Sequence, residues 1–227
     1  MWSPDGLVRV NEREHREDPE PSAVSFASVK YRCKNLGDAS KIELVRIYKQ
    51  IPHLSTEFDD HATRAKQAKA WTPPELLAYK TLTEKQSKVT PRLLGYRKEE
   101  QESSALVPSG FLVSFAWEQV PGVQLGDCFG ANVFWDMSKG ERHIIREAFK
   151  NKTILDTEAI GIRPLFTGAV HLVWDSASGN LFVGFRWWAD VRATPWSEAK
   201  SYWFGLAKPP KKLKWTAWNN DTSDWKF

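Results

Sequence analysis

The sequence predicts an α+β fold in two halves, a β-rich first half with one helix and a mainly helical second half with a hairpin. Three observations carry this. Phe111-Leu-Val-Ser-Phe-Ala-Trp-Glu118 is a mostly apolar, aromatic run of strand length, and Pro121-Gly122 stops it. Two capping boxes, one at Thr72-Pro-Pro-Glu75 and one at Ser138-Lys-Gly-Glu141, open a helix on either side of that strand. Each half also contains two strand patterns separated by turn chemistry.

In order along the chain, residues 1–22 are charged and contain prolines, and are expected to form a flexible N-terminal arm. Residues 23–34 have strand content, Asn35-Leu-Gly-Asp-Ala-Ser40 reads as a turn, and Lys41 to Lys49 alternates as a half-buried strand should. Together they predict a hairpin. Residues 50–70 are polar and read as a loop or a helix with a charged face. In the first helix Thr72 caps, the prolines fit the first turn and Glu75 reaches back. Leu76, Tyr79 and Leu82 then share one face. Val89 to Tyr96 reads as a strand entry, and residues 97–110 as a charged loop. After Gly122, residues 123–137 have no clear period. The second helix offers Ile144, Ile145, Ala148 and Phe149 to a core, with Arg142, His143, Arg146, Lys150 and Lys152 elsewhere. Val170 to Asp175 and Leu181 to Arg186 flank the turn Ser-Ala-Ser-Gly179 as a second hairpin. A tryptophan-rich tail with a basic run, Lys208 to Lys214, completes the chain. The halves are expected at 23–118 and 119–227.

A length of 227 residues suits one domain or one split into two lobes. The two cysteines, Cys33 and Cys128, build no disulfide framework and no metal-type spacing, so a reducing, cytoplasmic setting is expected. No apolar run approaches the roughly eighteen residues of a membrane span, and the first residues lack a signal-peptide pattern. A net charge of +4 permits a polyanionic partner, and of the twelve tryptophans, many of them core, some lie beside basic residues and supply rings that can stack on bases. The basic set is Arg142, Arg146, Lys150, Lys152, Lys208, Lys211, Lys212 and Lys214, with Trp187, Trp188 and Trp215 as stacking candidates. Each of these also has a plainer reading, as a solvated face or a core ring.

Carboxylates and a histidine make up the candidate chemistry. Glu118, at a strand end beside Pro121-Gly122, is either bonded to backbone or a base at a cleft mouth. Glu75 is either a capping residue, or the partner of Lys49 or a substrate contact. His171, within an apolar strand, is either a satisfied core histidine or a general base. Cys128 is a buried thiol or a nucleophile. Asp175 caps its turn or binds ligand, and Asp59 and Asp60 belong to a loop or a pocket.

The motifs and their order resemble the short fungal protein-kinase-like proteins. Glu75-Leu-Leu-Ala-Tyr79, Pro91-Arg-Leu-Leu-Gly-Tyr96, Trp117-Glu-Gln-Val-Pro-Gly122, Glu141 to Arg146 and His171 to Trp174 carry the resemblance, across roughly residues 40 to 190. It implies a compact bilobal protein-kinase-like fold, β-rich in the first lobe and mainly helical in the second. Lys49 or Arg46 stands where a kinase places its nucleotide-pairing lysine, with Glu75 as partner. Matching the hairpin puts Phe166 at the catalytic Asp position, His171 at the metal-binding Asn and Gly184 at the metal-binding Asp. No glycine-rich phosphate loop is evident. The resemblance therefore implies the fold without phosphoryl transfer, a pseudokinase-like module with a protein partner.

In length, basic charge and tryptophan content the chain is also similar to the arginine-containing cyclodipeptide synthases. That resemblance implies an aminoacyl-tRNA-dependent transferase. It would join arginine from arginyl-tRNA to a second aminoacyl group, with no ATP, metal or other cofactor, because the aminoacyl ester is already activated. Its expected site has Glu118, Glu75 and His171 as catalytic groups. Asp59, Asp60, Lys49, Tyr79 and Asp175 line the substrate pocket, where carboxylates suit a guanidinium. The basic set would hold the RNA.

Overall fold

In the computed structural model, the described residues are 8–10, 24–35, 37–38, 41–127, 132–165, 168–186, 188–190 and 195–227. The chain divides into two units, residues 1–77 with 92–119, and residues 78–91 with 120–227.

The first unit is an antiparallel five-stranded sheet in the order β1-β2-β3-β5-β4. Its strands are β1 (Val8–Val10), β2 (Phe26–Lys34), β3 (Ile42–Gln50), β4 (Leu93–Glu100) and β5 (Phe111–Glu118). The predicted hairpin is β2–β3, in register from Phe26 opposite Gln50 to Lys34 opposite Ile42. β1 lies within the segment expected to be a flexible arm; Val-Arg-Val pairs with residues 30–32 of β2. β4 runs to Glu100, so part of the expected charged loop is edge strand, where exposed charged side chains fit. β5 matches the opening prediction residue for residue. It lies between β3 and β4, and Phe111, Val113, Phe115, Ala116 and Trp117 are buried. Packing on both faces explains an apolar run in place of alternation.

An aromatic cluster fills this unit. Trp71 sits 5.0 Å from both Phe26 and Phe111 and 5.7 Å from Tyr48, and Phe115 bridges Tyr48 and Trp117. The fully buried Gln50 anchors the polar stretch that follows β3. Its amide donates to Gln67 O, while Lys69 N–H donates to its Oε1. Gln67 in turn accepts from His53 N–H and donates to Thr56 Oγ1. Within this stretch only His61–Ala65 (α1) is helical, capped by Asp60.

Helix α2 (Pro74–Glu84) begins in the first unit, and from Ala78 on it belongs to the second. The second unit contains α3 (Val133–Asp136), α4 (Lys139–Ala148), a π-helical stretch (Phe149–Ile154), α5 (Leu155–Ile160) and α6 (Glu198–Trp203). The capping box at Ser138 and Glu141 is present in full. Ile145, Ala148 and Phe149 are buried as predicted, whereas Ile144 is exposed. The second hairpin is β8 (Leu172–Asp175) with β9 (Asn180–Val183), joined by β6 (Val123–Gln124). β7 (Ile162–Pro164) pairs with β10 (Trp188–Asp190). The core gathers Ala78, Leu82, Leu125, Phe134, Ile145, Phe149, Leu172, Leu181, Phe185 and Leu206.

Gly122 is a geometric requirement of this unit. Its φ is 112°, and a Cβ there would lie 2.2 Å from Trp174 O. A β-rich unit with one principal helix, followed by a mainly helical unit with a β-hairpin, is a bilobal protein-kinase-like architecture.

Candidate functional site

Arg46, Tyr48 and Glu75 of the first unit form a buried network. Arg46 on β3 donates from Nη1 to Glu75 Oε2 at 2.5 Å, and Tyr48 Oη donates to the same oxygen at 2.8 Å. Their strand spacing makes this possible: residues 46 and 48 are two apart on β3 and so face the same side. The two side chains of the ion pair are 4% and 3% exposed, and the Arg46 guanidinium lies 5.5 Å from the Trp117 ring centroid. Of the two cations open to Glu75, the structure selects Arg46. Lys49 is half-buried, in register between Ala27 and Leu112. Glu75 is thereby turned to the sheet, and Thr72 Oγ1 accepts from Lys98 Nζ.

The remaining carboxylates lie apart from this network. Glu118 accepts from Arg92 N–H at 3.0 Å and lies 3.7 Å from Arg92 Nε, with 40% of its side chain exposed. Asp60 accepts from Thr63 N–H and Oγ1, and these bonds hold its pKa below the ordinary carboxylate value. Asp59 is exposed. Asp175 accepts from Ala177 N–H and Ser178 Oγ across its turn. Among the described residues, no three His, Cys, Asp or Glu side chains group as a metal site.

In the second unit, His171 ends a 3-10 turn (Ala169–His171) immediately before β8, not within the strand. Its carbonyl accepts from Gly184 N–H at 2.9 Å, so the two residues are joined through backbone. A Cβ at Gly184 would lie 3.6 Å from Tyr79 Oη, which places the buried Tyr79 beside them. Phe166, Trp187 and Cys128 lie outside the described residues.

The same unit carries a cationic and aromatic face. Trp135 on α3 is approached by three cations, Lys208 Nζ at 4.2 Å from the ring centroid, Arg142 at 5.2 Å and Lys226 at 5.4 Å. Lys208 and Lys226 are set by their backbones, which exchange two hydrogen bonds of 2.9 Å. Arg142 is set by bonds to Met137 O and Phe227 O. One turn along α4, Arg146 lies over the Phe227 ring, and Lys150 lies over Trp196. Burial pulls the Arg146 guanidinium below its usual value; Glu198 counters this and Arg142 adds to it. From Phe227 the rings continue through Trp225 and Trp218 to Trp215 and Tyr202.

Arg142, Arg146, Lys150 and Lys208 of the predicted basic set thus come together on packed rings. Lys152 instead donates to Gly179 O. Lys212 and Lys214 line a surface depression of 440 Å³ with Leu213 and with Trp218 and Trp225 of the ring series, and Lys211 is exposed nearby in sequence. Trp135 and Lys226 were not legible as members of the set. Trp135 lies in a stretch without periodicity, and Lys226 is 18 residues from its partner Lys208.

No protein-family model matches the chain, and no curated protein matches it at a significant level. The fold alone gives an architectural class, a bilobal kinase-like arrangement of two units.

Proposed function

We propose that this protein is a binding module on a kinase-like scaffold, one that does not transfer phosphoryl groups. The observation that carries the reading is the pair His171 and Gly184, bonded through backbone where a kinase would place its metal-holding Asn and Asp. A glycine offers no side-chain oxygen to a cation that must neutralise phosphate charge. The Arg46–Glu75–Tyr48 network adds support, because its carboxylate is engaged by two donors within the first unit. The test is incubation with labelled ATP and magnesium, alongside a thermal-shift series with nucleotides and a pull-down for a stable protein partner. The expected result is no transfer. Magnesium-dependent turnover that scales with protein through purification would overturn the reading.

A second reading is favoured by the cationic and aromatic face. On it the protein is a tRNA-dependent cyclodipeptide synthase that joins arginine from arginyl-tRNA to a second aminoacyl group. Such an enzyme needs cations for the phosphate backbone and rings for unpaired bases. Incubation with arginyl-tRNA and a pool of charged tRNAs, read by mass spectrometry, tests it. Absence of any arginine-containing cyclodipeptide counts decisively against it.

A further inference from the structure

We infer that the Trp135 cluster is a phosphate clamp for a single-stranded nucleic acid, with Trp215 and Tyr202 as its base-stacking rings. Positive charge is unevenly distributed along the chain. Residues 139–152 contain five Lys and Arg against two Asp and Glu, and residues 195–227 contain six against three. These two segments together exceed the +4 of the whole chain, so the excess is concentrated here.

Three of these cations then converge on one indole. Lys208, Arg142 and Lys226 all lie within 5.4 Å of the Trp135 centroid. Among the described residues, no side-chain carboxylate forms an ion pair with Lys208 or Lys226, while Arg142 is bonded to Met137 O and Phe227 O. They stand within about a Debye length of one another, so they repel, and the ring face compensates only in part. An anion placed against them relieves that repulsion. The backbone bridge between Lys208 and Lys226 and the bonds of Arg142 to Met137 O and Phe227 O hold the cluster before any ligand arrives. Little ordering cost remains at binding.

The ring series identifies the kind of anion. Trp215 is 41% exposed and Tyr202 39%, with centroids 4.9 Å apart. Ring packing runs from them through Trp225 and Phe227 to Arg146 on α4. Exposed rings continuous with a row of cations suit a strand whose bases are unpaired and whose phosphates are regularly spaced. A duplex hides its base faces, and an acidic lipid surface offers none.

The inference deepens the binding-module reading and rests on it for context, yet the two fail separately. Phosphoryl transfer by a protein that binds nucleic acid sinks only the earlier reading. An inert protein that binds no nucleic acid sinks only this one.

The experiment uses the full chain and fluorescein-labelled 12-mers of single-stranded RNA and single-stranded DNA. A duplex of the same length, inorganic phosphate and anionic phosphatidylserine vesicles serve as comparison arms. Anisotropy at low salt is expected to show saturable binding of single strands, and the RNA and DNA arms decide which sugar is preferred. The double variant Lys208→Ala/Lys226→Ala changes two exposed side chains and spares the core. It is expected to weaken binding at least tenfold and to reduce the salt slope by about 1.4, or roughly 0.7 for each phosphate that a lysine no longer neutralises. Trp215→Ala is expected to weaken single-strand binding about fivefold or more while leaving phosphate competition unchanged. No binding at low salt, equal binding of duplex and single strand, vesicle binding alone, or an unaffected double variant each overturns the inference.

Discussion

Replacing Glu75 with alanine tests the account of the first unit most directly. The carboxylate accepts from Arg46 at 2.5 Å and from Tyr48 at 2.8 Å, and both side chains of the ion pair are almost fully buried. Removing one partner of such a pair leaves a buried guanidinium without its carboxylate, which costs about 3–5 kcal/mol. Tyr48 Oη loses the same acceptor, which adds to the loss, although not additively. For a chain of this size that corresponds to a fall in Tm of roughly 6–20 °C. Glu118→Ala is the internal control. Its pairing with Arg92 is long, at 3.7 Å, and the Arg92 and Glu118 side chains are 67% and 40% exposed, so the change should cost about 1 kcal/mol or less. Urea unfolding followed by tryptophan fluorescence reports both, since Trp71 and Trp117 lie in the same cluster as Tyr48 and Phe115. The double change Arg46→Met/Glu75→Leu removes both charges and should recover most of the stability. A Glu75→Ala loss no larger than that of Glu118→Ala would refute the buried-pair argument. So would a double variant as unstable as the single one.

Other consequences follow from single residues. Gly122→Ala should destabilise the second unit by roughly 2–4 kcal/mol, because φ is positive and the new Cβ meets Trp174 O. Gly179→Ala, at φ 64° with its nearest neighbour 3.9 Å away, should cost only about 1 kcal/mol; chemical denaturation compares them. Ser138→Ala should cost about 1 kcal/mol by opening the α4 capping box, read from the same denaturation curves. Burial, and then the Glu43 carboxylate, push the Cys33 thiol upward. Its folded pKa lies above the unfolded one, so its stabilising contribution is whole below the ordinary thiol range and is lost as pH rises through the folded value. In a Cys128→Ser background, modification by a thiol-specific disulfide reagent should therefore be slow at about pH 8, below the ordinary thiol value, and the unfolding midpoint should decline above that range.

Much of the secondary structure was legible because it is encoded over short distances. β5 is apolar from Phe111 to Trp117 except for Ser114 since both of its faces are covered, and the turn at Pro121-Gly122 announces its end. The Ser138–Glu141 box forms as read because all its atoms lie within one helical turn. The Thr72–Glu75 box has the same spacing, yet Glu75 turns to β3. Two buried donors there, Arg46 and Tyr48, outweigh an exposed cap. Likewise β4 continues through residues that look like a charged loop, because β5 supplies a ladder for them.

The class of fold, the two hairpins, the principal helices and the stock of cations and rings are all encoded locally. Each of these follows from periodicity or from interactions a few residues apart. Which groups meet is a matter of long-range packing. It chose Arg46 over Lys49 for Glu75, and it set His171 and Gly184 backbone to backbone. It also gathered Lys208, Lys226 and Arg142 around Trp135. Most of these partners lie far apart in the chain, Trp135 and Lys226 furthest of all. Only packing brings such groups within reach of one another, and so the central tryptophan of the cationic face could not be singled out from its neighbours in sequence.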